Sequence, residues 1–414
     1  MPTVAQTQRG GPFGVLDSTV ELGVIPASTP VLYVGAACFS AHAATPARYY
    51  KLLVILEPIE SPTPAFHDQE IRFARALSIV RNVIAQRAFP GASLAVGYRG
   101  ELVARAGFGR FTYQPDSPEV TAYTIFDLAS VTKVVATTAM AMILYERGAF
   151  DLETPASNVL AEFHQPDVTI RMLLAHSSGL PGYVKLYDSA RTGDELVRAA
   201  CTVPLVASPG AKAEYSDIGF ILLGEILETL AGELLDAFCS REIFAPLGMS
   251  QTRFNPPTNL RHSIPPTEDD RTFRHRVSQG EVNDENAYVM GGVAGHAGLF
   301  APALDVARFA ECMLRGGSPI LKPETIALFT QREPSPSGTS RALGWDTPSQ
   351  PSSSGQYLSP RSFGHLGYTG TSLWIDPDRQ LSVTFLTNRT WPDRSNKAIQ
   401  QVRPLVHDAI VKAL

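Results

Sequence analysis

FDLASVTKVVATTAM (Phe126–Met140) sets a serine three residues ahead of a lysine and then runs into an apolar stretch. On a helix, residues i and i+3 share one face, so a helix starting near Ser130 lays Lys133 beside the Ser130 hydroxyl. The helix N-terminus adds unpaired N–H groups and the positive end of the macrodipole. A hydroxyl beside an amine in that position is one way to make a nucleophile. It is also what a capping serine and a solvated lysine look like. The rest of the chain decides between them.

The bulk of the sequence excludes several classes. Its 414 residues are 44% hydrophobic and 18% charged with net charge −5, leaving no basic field for nucleic acid or a membrane surface. No apolar run approaches the roughly 18 to 20 residues that span a bilayer. The phosphate loop GxxxxGK[ST], the nucleophile elbow GxSxG and the zinc motif HExxH are all absent. Cys38, Cys201, Cys239 and Cys312 are scattered without a framework and read as buried thiols. Neither a metal nor an organic cofactor is expected.

Residues 1–66 are proline-rich and lack sustained periodicity, and read as an extension or as a start placed too far upstream. Ala41-His42-Ala43 resembles a signal-peptidase site, but the positive charge before it, Arg9, lies too far upstream for an export signal. The balance favours a cytoplasmic protein over an exported one. Residues 67–414 read as one organised domain. Phe73, Ala76, Leu77, Val80, Val83 and Ile84 recur at helical spacing, and SLAVGYRGELVARAGFG reads as two strands about Arg99-Gly100. Helices are predicted over 130–146, 217–238 and 304–314. TSLWI and LSVTFLTN form a C-terminal hairpin, and a helix containing Pro404 closes the chain. Strands at both ends with helices between them predict an α+β, layered α/β/α fold. One antiparallel sheet is closed by the N- and C-terminal strands, with a mostly helical middle packed on it. RALGWD (341–346) interrupts a polar low-complexity patch and reads as part of a surface loop.

Ser130-Val-Thr-Lys133 is the only SxxK in the chain, and Tyr215-Ser216-Asp217 the only Tyr-x-[Asn/Asp]. A third segment, GHLGYTGTS (364–372), reads as the first strand of the C-terminal hairpin. In order and spacing these resemble the SxxK, Tyr-x-Asn and Lys-Thr-Gly boxes of the serine β-lactamase and penicillin-binding protein superfamily. The nearer resemblance is to its class C-like branch, which includes esterases and D-aminopeptidases. LLAHSSGLPG (173–182), GGVAGHAGLF (291–300) and FLTNR (385–389) support it. The resemblance covers about residues 68–414.

The resemblance implies that Ser130 attacks a carbonyl and forms an acyl-enzyme, with Lys133 and Tyr215 sharing proton transfer. It implies an oxyanion hole from the backbone N–H groups of Ser130 and Tyr368, beside Gly367. Two departures bear on substrate. Asp217 stands where asparagine is usual; a carboxylate beside Lys133 is expected to raise its pKa, leaving Tyr215, held partly as phenolate, as the base. His365 and Leu366 replace the lysine and threonine that hold a substrate carboxylate, and a histidine there is mostly neutral. Both changes weaken the case for β-lactam hydrolysis. They favour a small-molecule ester or amide, with an esterase placed ahead of a D-amino-acid peptidase, a cell-wall amidase or a weak β-lactamase.

Plainer roles compete. Asp217 precedes IGFILLG and suits an N-cap, Tyr215 suits a packed core tyrosine, and His365 suits a hydrogen-bonded histidine in a sheet. His176 reads as the end of a short helix, His296 as pocket lining or loop, and Asn283 stands where the branch often has histidine. A non-catalytic binding protein of the same fold is the reading from another class, and a transpeptidase a third. Oligomeric state is not legible.

Overall fold

Helix α1 (Ala74–Ala85) buries Ala76, Leu77 and Val80, the stripe its spacing predicts, and ends before the strands β1 (Gly91–Tyr98) and β2 (Glu101–Gly109). The computed structural model describes residues 68–414; the extension expected over 1–66, with Ala41-His42-Ala43, lies outside the described residues. Three further strands come from the far end of the chain: β3 (Phe363–Leu366), β4 (Ser372–Asp376) and β5 (Leu381–Thr387). The sheet order is β2-β1-β5-β4-β3, antiparallel throughout. The two ends of the domain meet at the β1–β5 pair, in register from Ala92–Thr387 to Tyr98–Leu381. This is the closure expected from the sequence.

Alternation along β1 sorts the layers. Leu94 and Val96 pack with Leu77, Val80, Val383 and Phe385 and with Val406 and Ile410 of the final helix. Ala95, between them, faces the other way into the larger core, with Leu373, Leu386, Phe309 and Trp345. The first layer is α1 with the C-terminal helix (Ile399–Val411), which carries Pro404. The second is the helical middle, including Ala303–Leu314.

Three local expectations change. The helix expected over 130–146 is a 3₁₀ turn (Ala129–Val131), a π-helical stretch (Lys133–Thr138) and only then an α-helix (Ala139–Glu146). Every residue from Val131 to Leu144 is buried, so the segment threads the core without a polar face. The helix expected over 217–238 breaks after Ala231, where Gly232 adopts φ +64°, and resumes at Leu235–Cys239. GHLGYTGTS is not one strand. It leaves β3 at Leu366, turns through 367–371 and enters β4. A small second sheet pairs Leu299–Pro302 with Ile125–Asp127 and with Arg253–Phe254, and it delivers the chain to Ser130. Cys201, Cys239 and Cys312 are free and buried.

Candidate active site

The strand Ile125–Asp127 ends in a sharp turn. Ala129 adopts φ +46°, a left-handed conformation that costs a non-glycine residue about 1 to 2 kcal/mol. The Asp127 carboxylate holds it: Oδ1 accepts the Ala129 N–H at 2.8 Å and Oδ2 the Asn283 N–H at 2.7 Å. Burial pushes this carboxyl up to about 6, against those two bonds. The turn presents Ser130 at the edge of the core.

Lys133 follows one turn later and is wholly buried. Its Nζ donates to Ser130 Oγ at 3.1 Å, to Asp217 Oδ1 at 2.7 Å and to the His296 carbonyl at 3.0 Å, so each of its three N–H bonds has an acceptor. Tyr215 OH donates to Ser130 Oγ at 2.7 Å. The structure thus brings Ser130, Lys133, Tyr215 and Asp217 into one hydrogen-bonded group. Asp217 is not the N-cap of its helix: the Ser216 hydroxyl accepts the Gly219 N–H at 3.1 Å, which leaves the Asp217 carboxylate to face Lys133.

Protonation runs against the expectation drawn from the sequence. Burial lowers the Lys133 pKa, and the neighbouring Asp217 recovers only part of that loss. Burial and then Asp217 push Tyr215 well above its ordinary value, so a resident phenolate is disfavoured. The expectation weighed the carboxylate and neglected the enclosing core.

The segment 367–371 is strapped to the nucleophile turn. Thr369 Oγ1 donates to the Asp127 carbonyl and Thr371 Oγ1 to the Leu128 carbonyl, each at 2.8 Å. A Cβ on Gly367 would collide with Leu128 O and Thr371 Oγ1, so only glycine permits this approach. Buried Arg403 ties the strap from behind, donating through Nη2 to the Gly367 and Thr371 carbonyls at 2.9 Å. Tyr368 therefore lies in the turn after β3 and not on the strand, its side chain 49% exposed. His365, on β3, is buried with Nδ1 2.8 Å from the Leu366 carbonyl. Burial, helped by the charges of Lys133 and Arg341, keeps its pKa well below the usual value. The shift favours the neutral imidazole, the direction expected from the sequence.

Several residues carry more than the sequence assigned them. His176 does follow a short helix (Ile170–Leu174), but its Nδ1 also accepts the Ser216 N–H at 3.1 Å and its ring lies 4.7 Å from that of Tyr215. His296 gives its carbonyl to Lys133 and pairs through Nε2 with Asp284 Oδ1 at 2.8 Å. Burial would raise Asp284, but facing His296 and Lys133 its carboxyl is held below the usual carboxylate range. Arg341, in the segment read as loop, stands 5.3 Å from the centre of the Tyr215 ring and pairs with Asp346 at 3.1 Å. Asn283 is structural, its side chain bonded to Thr267 and Glu268. The partnerships that reach the nucleophile group leave no spacing signal: the His176–Ser216 bond spans 40 positions and the His296–Lys133 bond 163.

Ser130, Tyr215, Asp217, Asp284, His296, Arg341 and His365 line a cleft of about 820 Å³ whose walls also carry Tyr183, Lys185, Glu268, Glu285, Arg389, Arg394 and Lys397. Among the described residues no group of three or more His, Cys, Asp or Glu side chains is placed to hold a metal ion. No helix among them is long and apolar enough to cross a membrane.

The family model described as Beta-lactamase matches residues 77–406. An N-acetylmuramyl-L-alanine amidase of Bacillus subtilis (strain 168) is 33% identical, with 81% of this chain and 85% of that protein covered. A putative D-alanyl-D-alanine carboxypeptidase of Escherichia coli (strain K12) is 30% identical, covering 73% of this chain and 79% of that protein. Of solved structures, EstCE1, a hydrolase with promiscuous acyltransferase activity, superposes with TM-score 0.66 at 23% identity, over 81% of this chain and 98% of its own. The octameric penicillin-binding protein homologue of Pyrococcus abyssi gives TM-score 0.63 at 22% identity, over 76% and 73%. At such identities the structural likeness is one of fold.

Proposed function

This chain belongs to the beta-lactamase family of serine hydrolases, and from that premise we propose that it cleaves the amide bond of a peptide-bearing substrate through an acyl-enzyme on Ser130. One observation carries the reading: Ser130 Oγ sits between Lys133 Nζ at 3.1 Å and Tyr215 OH at 2.7 Å, on a turn held in left-handed geometry. A capping serine needs neither neighbour.

In the reactive form Lys133 is the neutral amine, which its burial favours, and takes the proton as Ser130 Oγ bonds to the carbonyl carbon. The oxyanion is met by the backbone N–H groups of Ser130 and Tyr368, each such donor worth about 3 kcal/mol. Tyr215 passes its proton to the departing nitrogen, and the Lys133 ammonium, 4.9 Å from the centre of the Tyr215 ring, returns one to the phenolate. The C–N bond breaks and the acyl-enzyme remains. Water then repeats the sequence: its proton goes to the Lys133–Tyr215 pair, its oxygen bonds to carbon, and Ser130 leaves reprotonated. Ester cleavage is the same chemistry with an easier leaving group. The charged walls of the cleft, and the names of the two relatives, favour a polar amide as the substrate met in the cell.

A fluorophosphonate probe read by intact mass tests the nucleophile: one adduct on the native protein and none on Ser130→Ala. Hydrolysis of p-nitrophenyl acetate, an N-acyl-D-alanyl-D-alanine, an N-acyl-lactyl-L-alanine amide and nitrocefin is compared alongside. Turnover of a peptide amide that disappears in Ser130→Ala supports the reading. Dominant nitrocefin turnover overturns the inference from His365 and Asp217, and an unlabelled, inactive native protein returns the chain to the binding-protein class.

A further inference from the structure

We infer that the cleft beside Ser130 contains a subsite for a pyranose ring, walled by the side chains of Tyr183 and Tyr368. These are the two cleft-lining aromatic residues with the largest exposed area, at 42% and 49%. Such exposure is ordinary on a convex surface, but in a concave, otherwise charged site these two ring faces are the apolar area open to a ligand. Both rings are held in place. Tyr183 OH donates to Glu285 Oε2 at 3.4 Å, and the Arg389 guanidinium lies over Tyr368, 4.4 Å from the ring centre, with Arg389 Nε fixed on the Tyr368 carbonyl at 2.7 Å.

One ion pair joins the two walls. Glu285 Oε1, on the carboxylate that anchors Tyr183, accepts from Arg394 Nη2 at 3.0 Å. The Arg394 guanidinium stands 5.6 Å from the centre of the Tyr368 ring. The subsite is therefore two fixed aromatic rings linked through a carboxylate–guanidinium pair. A pyranose matches that chemistry: its axial C–H face packs on an aromatic ring, and its neighbouring hydroxyls donate to a carboxylate and accept from a guanidinium. A purely apolar acyl chain would cover the rings but leave the ion pair desolvated without new partners. The sugar would lie on the acyl side or the leaving side of the bond that Ser130 attacks. The inference rests on Ser130 marking the active cleft, but its test does not need turnover.

Calorimetric titration of Ser130→Ala with the methyl glycoside of N-acetylmuramic acid, and separately with N-acetyl-L-phenylalaninamide, is the direct measurement. We expect the sugar to bind with a Kd in the low millimolar range or below. Tyr183→Ala in the same background should weaken it at least tenfold, while Tyr183→Phe, which keeps the ring, should stay within threefold. In the catalytically intact protein, the ratio of kcat/KM for a muramyl-L-alanine amide over the matching lactyl-L-alanine amide should fall at least tenfold in Tyr183→Ala and in Tyr368→Leu. That ratio cancels any general loss from disturbing the 367–371 turn. Absence of sugar binding, binding unchanged in Tyr183→Ala, or tighter binding of the phenylalanine amide would overturn the subsite. Failure of the Ser130 reading shows separately, as an unlabelled and inactive native protein.

Discussion

The Thr371 hydroxyl donates to the Leu128 carbonyl at 2.8 Å, joining residues 243 positions apart. That bond sets the height of the 367–371 turn over the nucleophile turn, and so the spacing of the two N–H groups proposed to receive the oxyanion. Thr371→Val keeps the shape and removes the donor. We expect kcat on p-nitrophenyl acetate to fall about 10- to 100-fold with KM nearly unchanged, because misplaced donors act in the transition state. Thermal stability should fall by about 1 kcal/mol. A change in KM alone would remove the strap from the mechanism.

Gly367→Ala tests the same approach by steric means. The added methyl meets the Leu128 carbonyl and the Thr371 hydroxyl; the carbonyl is backbone and cannot yield without displacing Ser130, and the hydroxyl cannot yield without losing its bond to that carbonyl. Activity should drop at least about 100-fold. Fluorophosphonate labelling should slow in parallel while circular dichroism remains native.

The pH profile reports on Lys133. As its pKa is lowered by burial, the acid limb of kcat/KM should lie below the pH at which an ordinary lysine titrates, with rate rising as pH rises through it. Asp217 holds that pKa up, so Asp217→Asn should move the limb to lower pH. Lys133→Met should be inactive at every pH. A limb that stays in place in Asp217→Asn would take Lys133 out of the titration.

His176 supports Tyr215 through Ser216 and by ring contact. His176→Ala should lower kcat about tenfold by loosening the Tyr215 hydroxyl, a positioning effect. Burial, and then the charges of Arg341 and Lys133, keep His176 well below its usual pKa, so neither the native protein nor the variant should show a limb near the ordinary histidine value from this residue. His176→Asn, which can still accept the Ser216 N–H, should recover part of the loss.

Stability should depend on pH through His407, which is fully buried in the C-terminal helix and pushed down to about 4 by burial and by Arg403. Between the unfolded value near 6.5 and about 4, the unfolded chain binds the proton and the folded chain does not. Its contribution is whole above the upper value and is lost as pH falls through that window, on the order of 3 kcal/mol from this group. Urea midpoints at pH 7 and pH 4.5 should differ less in His407→Leu than in the native protein.

The sheet was legible because it rests on local alternation and on two hairpins, and its closure follows once strands lie at both ends of one domain. Ser130, Lys133 and Tyr215 were legible because i, i+3 spacing and a rare tripeptide survive in a linear reading. The π-helical stretch after Lys133 was not: an all-buried run has no face to reveal its period. The roles of His176, His296, Arg341 and Arg403 were hidden for another reason. Each acts through a backbone carbonyl, a backbone N–H or a ring face offered by a remote loop, and such partners have no residue type to recognise. The pKa order of Lys133 and Tyr215 went astray because a sequence shows which charges are neighbours and not how little water reaches them.

The pairing of β1 with β5 also bears on synthesis. The chain makes its nucleophile early, yet the strand that lies beside β1, the turn over Ser130 and the arginine behind that turn all follow Phe363. On the ribosome, Ser130 emerges long before anything exists to complete its surroundings. A nascent or prematurely terminated chain therefore carries the serine without the means to use it, and reactivity becomes a property of finished molecules alone.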